Sequence, residues 1–252
     1  LAMEMSPYKF DGKGGSGAKP YIHKAASPNL YRGPYGYDDD AAGEKYAQSV
    51  IEIVESLALQ GKAPAAFICE TLLGVGGQIP LPKGYLTKAY QYIRSVGGVC
   101  IADEVQVGFG RVGDAFWGFE LQEVTPDIVV MGKPIGDGHP LAAVVVTQAI
   151  ADAFNNGMEY FNTFGGNPVS MAAGMAVLDI IRDEELRQHA CVTGDELMDG
   201  LRMLMERHTI IGDVRGHGLF VGVELVRDRV SKEPAVPEID IIVEKMKDRG
   251  YL

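Results

Sequence analysis

Residues 99–103 read Val-Cys-Ile-Ala-Asp, and residues 128–133 read Ile-Val-Val-Met-Gly-Lys. Each run is short and apolar, ends near a charged side chain and is followed by glycines, as is typical of a buried strand where it leaves a sheet. Asp103 and Lys133 are therefore expected at the carboxyl ends of two strands. In an open α/β sheet ligands bind outside these ends, so an acid and an amine there can reach one ligand.

A third apolar run, residues 65–69, brings Glu70 to the end of a strand in the same way. Between this run and the one before Asp103, residues 84–96 carry apolar side chains at helical spacing, which predicts a crossover helix between parallel strands. Another β-rich run follows at residues 142–146. The sequence thus predicts an α/β fold around a mostly parallel sheet.

The residues alone leave a simpler interpretation of Asp103 and Lys133 open. Opposite charges at neighbouring strand ends can form a structural ion pair, and most such charges are merely solvated. His139, Arg215 and His217 are likewise interpreted as structural. Gly74-Val75-Gly76-Gly77 does not open a helix, so it predicts a turn with close backbone approach rather than a phosphate cradle.

Composition excludes several classes of function. The net charge of −11 and the pI near 4.9 argue against nucleic acid or an anionic membrane as partner. No stretch reaches the roughly 18 apolar residues that a membrane span needs. Five histidines without paired spacing indicate no metal site, and three cysteines show no disulfide or metal pattern. A reducing compartment fits this cysteine usage.

Three stretches carry a resemblance to a known family. They read Asp-Glu-Val-Gln-Val-Gly-Phe-Gly-Arg-Val-Gly from residue 103, Met-Gly-Lys-Pro-Ile-Gly-Asp-Gly-His-Pro from 131, and Tyr-Phe-Asn-Thr-Phe-Gly-Gly-Asn-Pro-Val-Ser from 160. In this order and spacing they resemble the class III aminotransferases, which are pyridoxal-phosphate (PLP) enzymes of fold type I. They are most similar to the branch with alanine–glyoxylate aminotransferase 2 and ethanolamine-phosphate phospho-lyase. The resemblance implies a mostly parallel sheet with helices on both faces.

The resemblance also implies how the cofactor is held. Lys133 would bind the PLP aldehyde as a Schiff base and serve as general base on the substrate Cα–H, and shielding at the sheet edge would favour its neutral amine. Asp103 would keep the pyridine nitrogen protonated through a charge-assisted hydrogen bond. Val105 would pack on the ring face, and Gln106 would reach the phenolic oxygen. Without the family, these two are equally well a core valine and a turn glutamine.

Two further residues gain a role only from the resemblance. Thr163 matches a threonine that binds the cofactor phosphate of the neighbouring subunit, which implies a homodimer with shared active sites. Glu70 matches a carboxylate near the substrate. The implied partners are an amine or amino acid donor and an oxo-acid or aldehyde acceptor.

We expect two domains. Residues 1–182 would form the large PLP-binding domain without its N-terminal part, and residues 183–252 the beginning of a smaller C-terminal α+β domain, because the composition changes near Asp183. Family members are considerably longer, so the sequence is expected to be a fragment. Both the cytoplasm and the mitochondrial matrix are compatible locations.

Three functions follow from these expectations. Amino-group transfer through PLP is favoured over elimination of phosphate from phosphoethanolamine or a related phosphorylated amino alcohol. The third is a non-catalytic dimerisation or binding module, if segments outside the sequence complete the site. Lys133 and Asp103 would serve the first two alike, so the choice depends on how the distal group of the substrate is held.

Overall fold

The computed structural model of the protein describes residues 2–251. The helices are α1 (Ala2–Met5), α2 (Pro7–Phe10), α3 (Ala42–Ala58), α4 (Tyr85–Ser95), α5 (Gln148–Phe154), α6 (Pro168–Asp183), α7 (Leu186–Arg207) and α8 (Val236–Asp248). The strands are β1 (Ala66–Glu70), β2 (Leu72–Leu73), β3 (Ile79–Pro80), β4 (Val99–Asp103), β5 (Ile128–Met131), β6 (Ala143–Val146), β7 (Ile211–His217), β8 (Phe220–Asp228) and β9 (Glu233–Pro234). Short 3₁₀ helices cover Gly118–Gln122 and Lys133–Ile135.

The main sheet has the strand order β1-β4-β5-β6. The first three strands are parallel, and β6 pairs antiparallel with β5 at the edge. The register aligns Glu70 with Asp103 and Asp103 with Val130. The predicted parallel strands are therefore confirmed, and their carboxyl ends lie side by side.

Helices α3 and α4 pack on each other and on one face of this sheet. The buried side chains of α3 form one hydrophobic cluster with Leu86, Ala89 and Ile93 of α4. Phe67 and Cys100 extend from the sheet into the same cluster. Each fully buried aliphatic side chain contributes about 1.5–3 kcal/mol, so this layer holds β1 and β4 in place.

Helix α3 begins without a side-chain cap. Ala41 occupies its N-cap position, although Asp38 to Asp40 directly precede it. Asp39 lies two residues before Ala41, and its Oδ1 accepts from the Ala41 amide at 3.1 Å. The segment before α3 contains two short helices, α1 and α2, within residues 2–10.

The second sheet, here called the C-terminal sheet, consists of β7, β8 and β9 in antiparallel order. Helix α7 packs on β7. Strand β7 lacks an apolar sequence pattern, because Asp213 and Arg215 are charged yet occupy inward positions. Helix α6 ends at Asp183, close to the predicted domain boundary, and the division into two domains stays a prediction.

Glu104 connects the end of β4 to its surroundings. Its side chain is fully buried. Its carboxylate accepts from the Thr71 hydroxyl at 2.8 Å and from the Gly118 and Phe119 amides at 2.9 Å each. Burial raises the pKa of Glu104, and these three donors counteract part of that rise. Glu104, which follows β4, thereby connects Thr71, which follows β1, to the beginning of the Gly118–Gln122 helix.

Replacing Glu104 by Ala leaves the Gly118 and Phe119 amides without their acceptor. Buried unpaired donors cost about 1–3 kcal/mol each, so hydrogen exchange at these two amides should quicken at least about tenfold. Exchange measured by mass spectrometry on the full-length protein tests this.

Glu120→Ala is the matched control, because Glu120 also accepts from two backbone amides, those of Phe116 and Trp117, but is exposed. We expect Glu120→Ala to lower the free energy of unfolding by about 1 kcal/mol, as the loss of an exposed helix cap does. Equal effects of the two substitutions at Gly118 and Phe119 would contradict the role assigned to Glu104.

Candidate functional site

The carboxyl edge of the main sheet brings three of the predicted site residues together. Glu70 and Asp103 end paired strands, and Lys133 follows β5 by two residues. The charges of both Asp103 and Lys133 act on the Glu70 carboxyl, so the three groups lie within electrostatic range of one another. The structure therefore assembles one acid–amine–acid cluster from separate strands.

Asp103 is half-buried, and its Oδ1 accepts from the Val105 amide at 3.0 Å. This short loop contact fixes the carboxylate where β4 ends. Within residues 2–251, the ion pairs involve neither Asp103 nor Lys133. The alternative of a structural ion pair between these two residues is therefore wrong for this part of the chain.

Lys133 begins a 3₁₀ helix directly after Gly132 and directly before Pro134. Its φ of +38° lies in the left-handed region, which is unfavourable for a side-chain-bearing residue by about 1–3 kcal/mol and recurs at functional sites. The side chain is exposed, so the expected shielding is not provided by residues 2–251.

Val105 packs beside the residue that precedes Lys133. A Cβ atom placed on Gly132 would lie 3.2 Å from Val105 Cγ1, which shows that the loop after β4 touches the loop after β5. Val105 is half-buried. Its amide holds Asp103 and its side chain contacts Gly132, so Val105 bridges the two functional groups.

Gln106 contains a buried polar atom that the described protein does not satisfy. Its Oε1 has no hydrogen-bond partner among residues 2–251. The amide lies directly over Gly74, since a Cβ on that glycine would come within 2.0 Å of Oε1. A buried amide end without a partner is uncommon in proteins and indicates a place for a polar ligand.

Glu70 is half-buried and accepts at Oε2 from the Gly74 amide at 3.1 Å. Burial raises the pKa of the Glu70 carboxyl and the Asp103 charge raises it further, while the Gly74 hydrogen bond and the Lys133 charge lower it. The pKa remains above its ordinary value. A carboxyl group of this kind can take up or release a proton near a bound molecule.

Thr163 is not brought to this cluster by the fold of the described chain. It lies between α5 and α6 and is exposed. Three aromatic side chains around it, Tyr160, Phe161 and Phe164, are 71–79% exposed. Within residues 2–251, no hydrogen bond or ion pair connects Thr163 to Glu70, Asp103 or Lys133.

Sequence reasoning missed two residues that support this edge. Glu104 appeared only as the neighbour of Asp103, although a second carboxylate directly after an apolar run is the sequence signal that could have marked it. Gly74 was interpreted as part of a turn with close backbone approach, which the structure confirms, but its contacts with Glu70 and Gln106 were not foreseen.

No group of three or more His, Cys, Asp or Glu side chains within residues 2–251 is arranged to hold a metal ion. None of the helices described there is long and apolar enough to cross a membrane.

Comparison with known proteins links this geometry to a family. Residues 15–252 match the class-III aminotransferases. "Alanine–glyoxylate aminotransferase 2 homolog 2, mitochondrial" of Arabidopsis thaliana is 49% identical over 231 residues, which cover 92% of this chain and 47% of that protein. The chain spans about half the length of the curated relatives it matches.

Two solved structures show the same fold. A phospholyase from Arthrobacter in complex with phosphoethanolamine superposes with a TM-score of 0.86 and 36% identity, over 93% of this chain and 55% of that one. An amine transaminase from an uncultivated Pseudomonas species, in its PLP-bound form, gives a TM-score of 0.78 and 35% identity, over 86% and 50% of the two chains. The predicted fold type I is thereby confirmed.

The residues at the sheet edge fit PLP. The unsatisfied Gln106 oxygen offers a hydrogen-bonding group, Asp103 offers a carboxylate and Lys133 offers an amine that is not paired with it. Gly132, which precedes Lys133, lets the loops after β4 and β5 approach closely. The chain belongs to the class-III aminotransferase family of fold type I, whose cofactor is pyridoxal phosphate.

Proposed function

We propose that the protein transfers an amino group from an amine or amino acid to an oxo-acid or aldehyde. The observation that carries this proposal is the placement of Lys133 and Asp103 at the ends of neighbouring strands without an ion pair between them. Bound PLP supplies an acceptor for the electrons released at the substrate Cα, while the protein supplies binding, orientation and charge. Membership of the class-III aminotransferases supports the same reaction.

Lys133 is proposed to hold the cofactor through its amine and then to move the proton at the substrate Cα. A neutral amine is both a nucleophile and a base, which suits these successive tasks. The Lys133 backbone is left-handed and lies between Gly132 and Pro134. This conformation positions the Cα–Cβ bond of the lysine at the sheet edge.

Asp103 is proposed to keep the pyridine nitrogen of the cofactor protonated. A carboxylate at a half-buried position makes a stronger charge-assisted bond than one in water. The Val105 amide already holds Oδ1, so the group does not need to be oriented when the cofactor binds.

The remaining predicted residues take supporting roles in this proposal. Val105 would contact the ring face from its position beside Gly132, and Gln106 would hydrogen bond the phenolic oxygen, either end of its amide being available by rotation. Glu70, whose pKa is raised, would face the substrate.

We further propose that the protein acts as a homodimer in which Thr163 binds the cofactor phosphate of the partner subunit. The exposed aromatic residues around Thr163 support this, because large apolar side chains grouped on a surface mark protein interfaces. Helix α6, which follows, also exposes Met171, Met175 and Leu178 at helical spacing.

Elimination of phosphate from phosphoethanolamine is the second candidate. It is supported by the similarity to the Arthrobacter phospholyase, which was solved with that compound. Lys133 and Asp103 can serve either reaction. A purely non-catalytic role is disfavoured, because one chain contains both the amine and the carboxylate at one edge of the sheet.

For cellular location, we favour mitochondria over the cytoplasm, on the strength of the Arabidopsis relative's name. Subcellular fractionation of the full-length protein against marker enzymes distinguishes the two compartments.

The reaction can be identified by supplying substrates to the full-length protein. With an amino acid plus glyoxylate or pyruvate we expect exchange of amino groups, detected by chromatography of both products. With phosphoethanolamine alone we expect little inorganic phosphate. Rapid phosphate release without an acceptor would instead favour the phospho-lyase.

Asp103→Asn provides the matched variant for this assay. It keeps the size of the side chain and the acceptor for Val105 but removes the charge, so the cofactor should stay bound while turnover falls by several orders of magnitude. A near-wild-type rate would remove Asp103 from the proposed mechanism.

The shared site can be tested by mixing subunits. Lys133→Ala and Thr163→Val homodimers should each be nearly inactive, and heterodimers formed from them should recover activity, because one of the two sites then contains both intact residues. No recovery in verified heterodimers, or full activity of a monomer, would exclude a contribution of Thr163 across the interface.

A further inference from the structure

The turn at residues 74–77, here called the glycine turn, is held by the C-terminal sheet. Arg215 on β7 donates from Nη2 to the Gly77 carbonyl at 2.7 Å and from Nε to the same oxygen at 3.1 Å. The Arg215 side chain is only 6% exposed. A buried guanidinium therefore donates two hydrogen bonds to one carbonyl oxygen of a turn that is 138 positions distant in the sequence.

Arg215 is itself fixed by two carboxylates of the same sheet. Nη1 pairs with Asp213 Oδ2 at 2.8 Å, and Nη2 pairs with Glu224 Oε2 at 2.7 Å. The Tyr37 hydroxyl donates to Asp213 Oδ2 at 2.8 Å. Because the planar guanidinium directs several donors at once, these bonds determine where the donors to Gly77 point.

The backbone of the C-terminal sheet also touches the glycine turn directly. A Cβ on Gly222 of β8 would lie 2.9 Å from the Gly77 carbonyl oxygen and 3.0 Å from Gln78 Cβ. Gly77 has a φ of +110°, which favours glycine. The glycines of the turn allow many backbone conformations, and contact with the C-terminal sheet restrains it.

The other end of the turn reaches the candidate active site. The Gly77 and Gln78 amides donate to the Gly74 carbonyl at 3.0 and 3.2 Å. Gly74 in turn donates to Glu70 and lies beneath the Gln106 amide. A continuous set of contacts therefore runs from Arg215 through the turn to both side chains.

We infer that Arg215 is a positioning residue for the active site, acting through the glycine turn on Glu70 and Gln106. The inference rests on the proposed function for its catalytic meaning. Four consecutive residues of which three are glycine have many accessible backbone conformations, so an external restraint determines where Gly74 stands. The C-terminal sheet thereby sets the position of the proposed substrate and cofactor contacts on the main sheet.

Two variants of the full-length protein loosen the turn in different ways. Arg215→Lys keeps the positive charge for Asp213 and Glu224 but removes the forked donors to Gly77. Gly222→Ala leaves Arg215 intact and pushes the turn away by the bulk of one methyl group. The control is Arg227→Lys on the same strand β8, since Arg227 pairs with Glu233 and Glu238 and is 44% exposed.

Hydrogen exchange of cofactor-free protein gives the first readout. Peptides covering residues 71–80 should exchange at least about tenfold faster in Arg215→Lys and Gly222→Ala than in the control. Unchanged exchange there in both variants would overturn the inference. This readout needs neither PLP nor turnover.

Cofactor and substrate binding give the second readout. The dissociation constant of PLP and the KM for the amino donor should both rise about tenfold or more in the two variants, with a smaller change in kcat, while Arg227→Lys stays at wild-type values. Faster exchange in residues 71–80 with unchanged PLP affinity and KM would also overturn the inference. If the wild type bound PLP but transferred no amino groups, the proposed function would fail. Hydrogen exchange of residues 71–80 and the PLP dissociation constant would still decide the role of Arg215.

Discussion

Parallel hydrogen bonding among β1, β4 and β5 aligns Glu70, Asp103 and Val130 across the main sheet. Because successive side chains on a strand point to opposite faces, a slip of one residue would turn Asp103 away from the edge cluster and bring Glu104 in its place. The buried bonds of Glu104 to Thr71, Gly118 and Phe119 oppose that slip. The chemistry of the site thus depends on strand register.

Close backbone approach is the second requirement of this edge. Gly132 lies against Val105, and Gly74 lies against Gln106, at separations where a Cβ atom would collide or crowd. These contacts draw the loops after β1, β4 and β5 together. The charged and polar side chains of three strands can then act on one ligand.

The sequence predicted those parts of the site that depend only on a short stretch of neighbouring residues. An apolar run followed by a charged residue identifies a strand and its end together, which is why Glu70, Asp103 and Lys133 could be assigned without the structure. The resemblance added Val105, Gln106 and Thr163, whose residue types alone have ordinary structural explanations. The cofactor, substrate and catalytic roles of all six residues stay predictions.

What the sequence did not reveal depends on partners far along the chain. Strand β7 does not show the usual apolar alternation, because its inward Asp213 and Arg215 satisfy each other and Arg215 satisfies Gly77. The exposure of Lys133 was also unforeseen, since shielding depends on what lies in front of the sheet edge and not on the strand that delivers the lysine.

The central claim, that the edge formed by β4 and β5 holds PLP through Lys133, is tested most directly by covalent trapping. Borohydride reduction of the full-length protein with bound PLP, followed by peptide mapping, should locate the cofactor on Lys133, and Lys133→Ala should trap none. A cofactor label on any other lysine, or undiminished trapping in Lys133→Ala, would contradict the account.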